Sequence, residues 1–322
     1  MKESLQFVKG SINQKGIVPE LSHFKIKNNR IYGFNGLLCI SAPINFDINC
    51  NPQAAQLVKA IDKSEQEISF VLKDNNRLVL KSGKFKSSIP CLENEIDNFV
   101  EPKGDKFPID GEAFIQCLKK LEPFTGYDAS RPWSHGLLFS KGCCFVTNNV
   151  TLIQYWLGFD IGVVCNIPSK TVKELIRVKK YPQYIQTDYK NVGFLYEDDS
   201  WICSSQYSLE WPDVLKLMKE TENCLHVPEE LYEALNTISQ FTDASNNVFM
   251  KGNIVSTSIG EDGTQFELTS PITDQQVCYN MKTLQDLKSL NAKVDFSHYP
   301  APCPIVGENF RGLILGPKIN AS

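Results

Sequence analysis

At 322 residues the chain exceeds the size at which a single hydrophobic core stops growing, so two or three domains are expected. Its composition, 42% hydrophobic and 22% charged, is that of an ordinary globular protein, and no run approaches the ~20 apolar residues of a membrane span. A net charge of −4 excludes the strongly basic total that marks a nucleic-acid binder directly, so the distribution of charge matters more than its sum. The opening MKESLQFVKGSINQ has neither the apolar core nor the cleavage site of a signal peptide, which predicts a cytosolic protein. None of the 11 cysteines forms a C-x-x-C pair or stands at zinc-like spacing from histidine. Most lie in apolar strand patterns, as do Cys39, Cys143, Cys144, Cys203 and Cys278, and read as small buried hydrophobes in a reducing compartment.

In chain order the first predicted element is a helix in ESLQFVKGSIN. SHFKIKNNRIYGFNG, from Ser22, then gives two alternating apolar runs around a polar turn, a β-hairpin with one buried face. NPQAAQLVKAIDKS reads as a helix with Asn51 as N-cap and Pro52 at its first position. LVLKSGKFKSSIPCL, residues 78–92, is a second hairpin turning at Ser82-Gly83. The plan then repeats. A helix in GEAFIQCLKKLEPF precedes SHGLLFSKGCCFVTNN, a hairpin from Ser134, 112 residues after the first. A helix in SKTVKELIRVKKY begins near Ser169, and FLYEDDSWICSSQYSL places Ser204-Ser205 where the earlier hairpin has Ser87-Ser88.

The tail gives the plan a third time. PEELYEALNTISQF is a helix with Pro228 early and Glu229-Glu230 near its positive end. NVFMKGNIVSTSIGEDGTQFEL supplies strands, NMKTLQDLKSL a second helix, and KVDFSHYPAPCPIVGENFRGLILG the last strands. The reading is α+β: three repeated domains, 1–105, 106–222 and 223–322, each with two helices packed on antiparallel sheets.

The usual catalytic motifs are absent: no phosphate loop, dinucleotide fingerprint, H-E-x-x-H or nucleophile elbow. His23, His135, His226 and His298 are scattered, and the first two hold the same repeat position, which favours turn or packing roles. Glu197 to Asp199 could bind a metal but read more plainly as a solvated hairpin turn. No catalytic residue, metal or cofactor is assigned, and the chain reads as not an enzyme.

Positive charge recurs on the helices. Lys170, Lys173, Arg177 and Lys180 stand at i, i+3, i+7 and i+10, one face of the helix whose Val172, Leu175 and Ile176 turn to a sheet. Lys59 and Lys63 lie opposite Leu57, Val58 and Ile61. Lys119 and Lys120 share a helix with Phe114, Ile115, Leu118 and Leu121, and the third repeat adds Lys282 and Lys288. A single basic helix face is ordinarily just solvated; its recurrence points equally to a nucleic-acid backbone. Without interleaved aromatics it favours duplex contact over single-strand stacking.

With these repeats the chain resembles the DNA polymerase sliding clamps of the bacterial β type, in the compact form seen in bacteriophages. The resemblance rests on NRLVLKSGKFKSSIPCL in the first repeat, HGLLFSKGCCFVTNNVTLIQY in the second and FRGLILGPK in the third, and spans residues 1 to about 318. It implies a ring in which paired helices line a hole around double-stranded DNA and sheets form the rim. It also implies a homodimer closed head to tail, a clamp loader, and a DNA polymerase tethered without chemistry or sequence preference. No membrane partner is implied. The alternative is a clamp-like repeat scaffold that binds proteins only and never encircles DNA. A two-domain chain assembling as a trimer is disfavoured by the third repeat.

The resemblance further implies a partner-peptide pocket at Thr147, Asn149, Val150, Thr151 and Leu152, with Pro212, Val214 and Leu217 from the connection and Ile314, Leu315, Gly316 and Pro317 from the tail. Two departures qualify its specificity. The bacterial pattern T-D-G-H-R-L is TNNVTL here, and the bacterial M-P-M-R tail is LGPK, continuing through Ile319 to Ser322. The chain also begins almost at its first helix, so the family's first strand is expected to be missing.

Overall fold

The computed structural model of the chain describes residues 1–13, 18–65, 67–218, 223–260 and 262–319. It forms two compact units, Met1–Ile115 with Ile161–Gln206, and Gln116–Asp160 with Tyr207–Ser322. Among the described residues no helix is long and apolar enough to cross a membrane.

The first unit is built on an antiparallel sheet. Its strands run in the order Lys25–Lys27, Arg30–Phe34, Leu38–Pro43, Trp201–Ser205, Asn191–Leu195, Tyr184–Thr187 and Asp105–Pro108. The first hairpin turns at Asn28 and Asn29, whose φ values of 52° and 56° are those a two-residue turn requires and asparagine tolerates. Leu38–Pro43 then pairs with Trp201–Ser205, Cys39 opposite Cys203 and Ile40 opposite Ile202, so a strand of the second sequence repeat continues the sheet begun by the first.

A smaller sheet in this unit has the order Asn51–Pro52, Phe85–Leu92, Arg77–Ser82, Ile68–Lys73. Its hairpin turns at Gly83-Lys84, one residue beyond the expected place, because Ser82 pairs with Phe85. The helix expected from Asn51 begins instead at Ala54. Asn51 and Pro52 pair with Leu92 and Cys91, and the Asn51 amide donates to the Asn94 carbonyl at 2.9 Å. Tertiary pairing has outcompeted the local capping signal.

Helices Lys2–Val8, Ala54–Asp62 and Ser169–Arg177 bury Leu5, Phe7, Leu57, Ile61, Val172 and Leu175. Helix Gly111–Leu121 brings Phe114 to within 5.8 Å of the Phe194 ring. Helix Ser169–Arg177 also buries a carboxylate, Glu174, which is 7% exposed. Arg177 balances it. Its Nε and Nη2 donate to Glu174 at 2.8 and 2.6 Å, and its Nη1 and Nη2 donate to the carbonyls of Gln6 and Phe7 at 2.8 and 2.7 Å. These are orphan acceptors at the end of helix Lys2–Val8, where a cation also suits the helix dipole. Gly10 leaves room for the pair, since a Cβ there would lie 2.0 Å from a Glu174 oxygen.

The second unit repeats the device. Its main sheet includes, in order, Gly136–Ser140, Cys143–Thr147, Thr151–Trp156, Phe310–Ile314, Cys303–Gly307, Lys293–Val294 and Leu225–His226. The hairpin turns at Lys141-Gly142, again with both φ values positive, 48° and 72°. Thr151–Trp156 pairs with Phe310–Ile314, joining second and third repeats. Gly312 is required at this seam: a Cβ would stand 2.2 Å from the Leu152 carbonyl oxygen. A smaller sheet runs Gln265–Glu267, Ile254–Ser256, Asn247–Gly252, Thr273–Asn280. Helices Glu229–Ile238 and Met281–Leu287 complete the unit, the second capped by the Asn280 side chain, which accepts from the Lys282 N–H at 3.1 Å.

Of the cysteines, all but the half-buried Cys91 are buried. His135 hydrogen-bonds the Asp128 carbonyl through Nε2 at 2.7 Å, and His23 contacts the Pro19 carbonyl through Nδ1 at 2.8 Å, both at the foot of a hairpin. Glu197 to Asp199 form the turn between Asn191–Leu195 and Trp201–Ser205.

The bracket made by Arg177 predicts a large effect from its loss. Arg177→Ala leaves Glu174 buried and unpaired and should destabilise the chain by roughly 3 kcal/mol in denaturant unfolding. Lys170→Ala, on the exposed face of the same helix, should stay within about 0.5 kcal/mol of wild type. Equal effects would remove the structural role assigned to Arg177.

Candidate functional site

The second unit holds an apolar cavity of about 420 Å³. One wall is the turn and strand start at Thr147, Asn149, Val150, Thr151 and Leu152; another is Pro212, Val214 and Leu217; Leu313, Ile314 and Leu315 close it, with Arg131, Trp133 and Pro302 at its edge. Its floor is core: Leu152, Val214 and Leu313 pack with Leu138, Cys143 and Phe145. Its rim is wet and apolar, with Leu217 58% and Leu315 38% exposed.

Local chemistry sets this shape. The Asn148 side-chain oxygen accepts from the Val150 and Thr151 N–H groups at 3.2 and 2.7 Å, and Asn149 takes φ 74°. This side-chain-closed turn throws Val150 outward instead of into the sheet. The Leu315 N–H donates to the Val150 carbonyl at 2.7 Å, holding the tail against the turn. Beyond it, the Tyr299 hydroxyl accepts from the Ile319 N–H at 3.1 Å and donates to the Pro317 carbonyl.

The polar rim is a closed set. Arg131 donates to the Asn149 side-chain oxygen at 2.8 Å and lies 3.9 Å from Asp128. Hydrogen bonds from the Ser130 hydroxyl and N–H, with Arg131 and His135 nearby, hold Asp128 below the usual carboxylate range. At neutral pH the rim therefore carries a cation and an anion side by side. The Thr151 hydroxyl oxygen is buried with no hydrogen-bond partner among the described residues. Trp133 and Trp211 lie 4.9 Å apart, inclined at 60°. A concave apolar wall with few polar groups can seat a short segment of chain by burying one or two anchors. Among the described residues no group of three or more His, Cys, Asp or Glu could hold a metal ion.

Ten of the twelve pocket residues named from sequence line this cavity. Gly316 and Pro317 do not. Gly316 lies against the Cys278 carbonyl, 2.0 Å from where a Cβ would stand, and Pro317 is tied to Tyr299. Arg131, Trp133, Pro302 and Leu313 were missed. A tryptophan in the polar run SRPWSH was the one legible signal; Pro302 and Leu313 arrive only through the pairing of the last two strands.

The cations divide. Lys59, Lys63, Lys119, Lys170 and Lys173 are exposed on their helices. Lys59 and Arg177 line one groove of about 380 Å³ with Lys9, which sequence reasoning missed. Arg177 departs from expectation: its guanidinium is spent on Glu174 and two carbonyls. Lys180 pairs with Asp198 at 2.6 Å, Lys282 with Asp286 at 2.9 Å and Lys288 with Glu229. Lys120 lies 5.6 Å from the Tyr155 ring centre.

No family model and no curated protein matches the chain. Solved structures do. The DNA polymerase sliding clamp from Bacillus subtilis is similar at 17% identity, covering 99% of this chain and 97% of that one, with a TM-score of 0.81. The sliding clamp of Bartonella birtlesii, DNA polymerase III subunit beta bound to griselimycin, gives 16%, 99%, 97% and 0.84. The DNA polymerase III subunit beta from Pseudomonas aeruginosa gives 13%, 99%, 97% and 0.84. The chain has the sliding-clamp fold. At these identities the likeness establishes architecture; the side chains of this clamp-fold chain must carry any argument about the cavity.

Rim and floor should then separate experimentally. In this clamp-fold chain Leu152→Ala should cost roughly 2–5 kcal/mol of stability, because Leu152 belongs to the core. Leu315→Ala and Leu217→Ala should each cost less, about 1 kcal/mol or below, because both side chains keep a substantial part of their surface in water. A large loss of stability from Leu315→Ala would make it a core residue and shrink the site.

Proposed function

We propose that this chain is a DNA sliding clamp: a non-enzymatic processivity factor that encircles duplex DNA and tethers a DNA polymerase through a peptide seated in the apolar cavity. The observation that carries the reading is the likeness over 99% of the chain to bacterial DNA polymerase sliding clamps. In this reading the three repeats, 1–105, 106–222 and 223–322, act as clamp domains; the boundary at 222 lies outside the described residues. The clamp works in the cytoplasm of a bacterial or phage-infected cell, where a clamp loader opens and closes it.

Two chains close the ring head to tail. Strand edges support this. Leu38–Pro43 and Thr151–Trp156, each the third strand of its repeat, pair onto a strand of the next repeat. The third-repeat counterpart, Gln265–Glu267, is an edge strand, and the outer side of residues 85–90 has no pairing strand among the described residues. Lys84 and Lys86 flank one edge, Asp262 and Glu267 the other. Pairing these edges between copies repeats the joint already made twice in the chain and closes both of them.

Duplex DNA is met by Lys59, Lys63, Lys119, Lys170 and Lys173, with Arg177 as scaffold and Lys120, Lys180, Lys282 and Lys288 as secondary charges. Phosphate contacts of this kind carry no sequence information, which suits sliding. The alternative, a scaffold binding proteins only, draws its support from the internal pairing of Arg177, Lys180, Lys282 and Lys288.

Topology separates the two readings. After loading, the protein should remain on nicked circular duplex and leave when it is linearised. Lys170→Glu with Lys173→Glu should weaken retention and flatten the log-affinity versus log-salt slope by about 0.9 per lost phosphate contact, with the solution mass still that of a dimer. A monomer at micromolar concentration, with no topological retention, would sink the ring and leave the scaffold.

The cavity is tested separately. Leu217→Ala with Leu315→Ala should weaken a DNA polymerase C-terminal peptide at least about tenfold. Unchanged affinity would move the peptide site elsewhere.

A further inference from the structure

Away from the apolar cavity and the basic helices, Cys50 and Cys91 line one open cavity of about 300 Å³ in the first unit, together with Lys25, Lys27, Glu93 and Glu95. Their strands pair, Asn51 opposite Leu92 and Pro52 opposite Cys91, which sets Cys50 diagonal to Cys91 across the ladder; the Cys50 N–H is anchored to the Ile26 carbonyl at 3.1 Å and the Cys91 N–H to the Asn76 carbonyl at 2.9 Å. Cys91 is the one cysteine of the chain that is not buried.

We propose that Cys50 and Cys91 form an oxidisable dithiol, a modification site at which a peroxide converts Cys91 to a sulfenic acid that Cys50 then resolves to a disulfide. The environment divides the roles. A hydrogen bond from the Cys50 thiol, the Leu78 backbone and the Arg77 charge hold Cys91 below the ordinary thiol range against the opposing effect of burial, while that same bond and burial push Cys50 up. A reachable thiol made more acidic, beside a partner made less so, is the arrangement of a redox-responsive pair.

The Cys91 thiolate attacks one peroxide oxygen, the O–O bond breaks and hydroxide leaves. The Cys50 sulfur then attacks the sulfenic sulfur, the S–O bond breaks, and water departs with the Cys50 proton. Two thiols lose two electrons and two protons, and one peroxide becomes two waters. A second adjacent pair serves as an internal contrast. Cys39 and Cys203 face each other across the sheet, but each is 1% exposed, and burial pushes the Cys203 thiol up to about 12.

The test uses the full chain with hydrogen peroxide at low molar excess, followed by alkylation, proteolysis and mass spectrometry. A single cross-linked peptide pair containing Cys50 and Cys91, reversed by dithiothreitol, is expected. Cys50→Ser should leave a dimedone-reactive sulfenic acid on Cys91, and Cys91→Ser should abolish both products. Cys91 oxidising no faster than the buried cysteines, or a Cys39–Cys203 link forming first, would overturn the proposal. Both of those outcomes are read on the wild-type chain, so they do not depend on either variant folding.

Discussion

The structure depends on one constraint: the backbone groups at the edge of a sheet must find partners. Each sequence repeat ends its hairpin run with a third strand whose outer edge would stand open. Leu38–Pro43 meets Trp201–Ser205, and Thr151–Trp156 meets Phe310–Ile314. These seams turn hairpins that would be marginal alone into broad sheets. They also explain why the repeats do not coincide with the two compact units, since each unit is organised around a seam shared by two repeats. The apolar cavity is a by-product of the second seam. Pairing Thr151 with Ile314 brings the end of the chain beside the Asn148 turn, and the groove is what remains between them.

Charge is handled by the same logic of satisfaction. Helix Ser169–Arg177 carries its cations on one stripe, yet their roles differ because their neighbours differ. Arg177 sits where a buried carboxylate and the last carbonyls of another helix both need a donor, and a planar guanidinium can serve all of them at once. Lys170, two turns earlier, has no such demand on it and stays in water. Spacing alone put both on one face; only the packing of Glu174 against Gly10, with the Gln6 and Phe7 carbonyls beside Arg177, separates scaffold from surface.

Much of the architecture was legible in the amino-acid sequence. Both leading hairpins announce themselves through two-residue polar turns, Asn28-Asn29 and Lys141-Gly142, flanked by alternating apolar residues. The helices are legible because their apolar stripes are strong, and repetition reinforced each assignment. What failed was local punctuation. Asn51-Pro52 is a good helix start in isolation, but it sits within reach of Cys91 and Leu92, and the strand pairing wins. In the cavity, Thr147 to Leu152 lie close together in sequence and could be named as a set. Pro302 and Arg131 could not, because they reach the site only through the final strand pairing and the Asp128–Asn149 contact.

The TNNVTL stretch shows how local backbone chemistry sets the shape of this cavity. The turn is closed by the Asn148 side chain on two N–H groups and by an asparagine in the left-handed region, so its path is determined by backbone chemistry that asparagine satisfies. Val150 and Thr151 follow it in the cavity wall and bring no charge there. The cation at the rim comes instead from Arg131, balanced by Asp128. A fold can thus persist at 13–17% identity, because pairing, turn geometry and burial constrain residue type only loosely. The chemistry of the cavity wall is under no such constraint. In this chain the wall is apolar, and any segment it seated would be selected by shape and anchor size more than by charge.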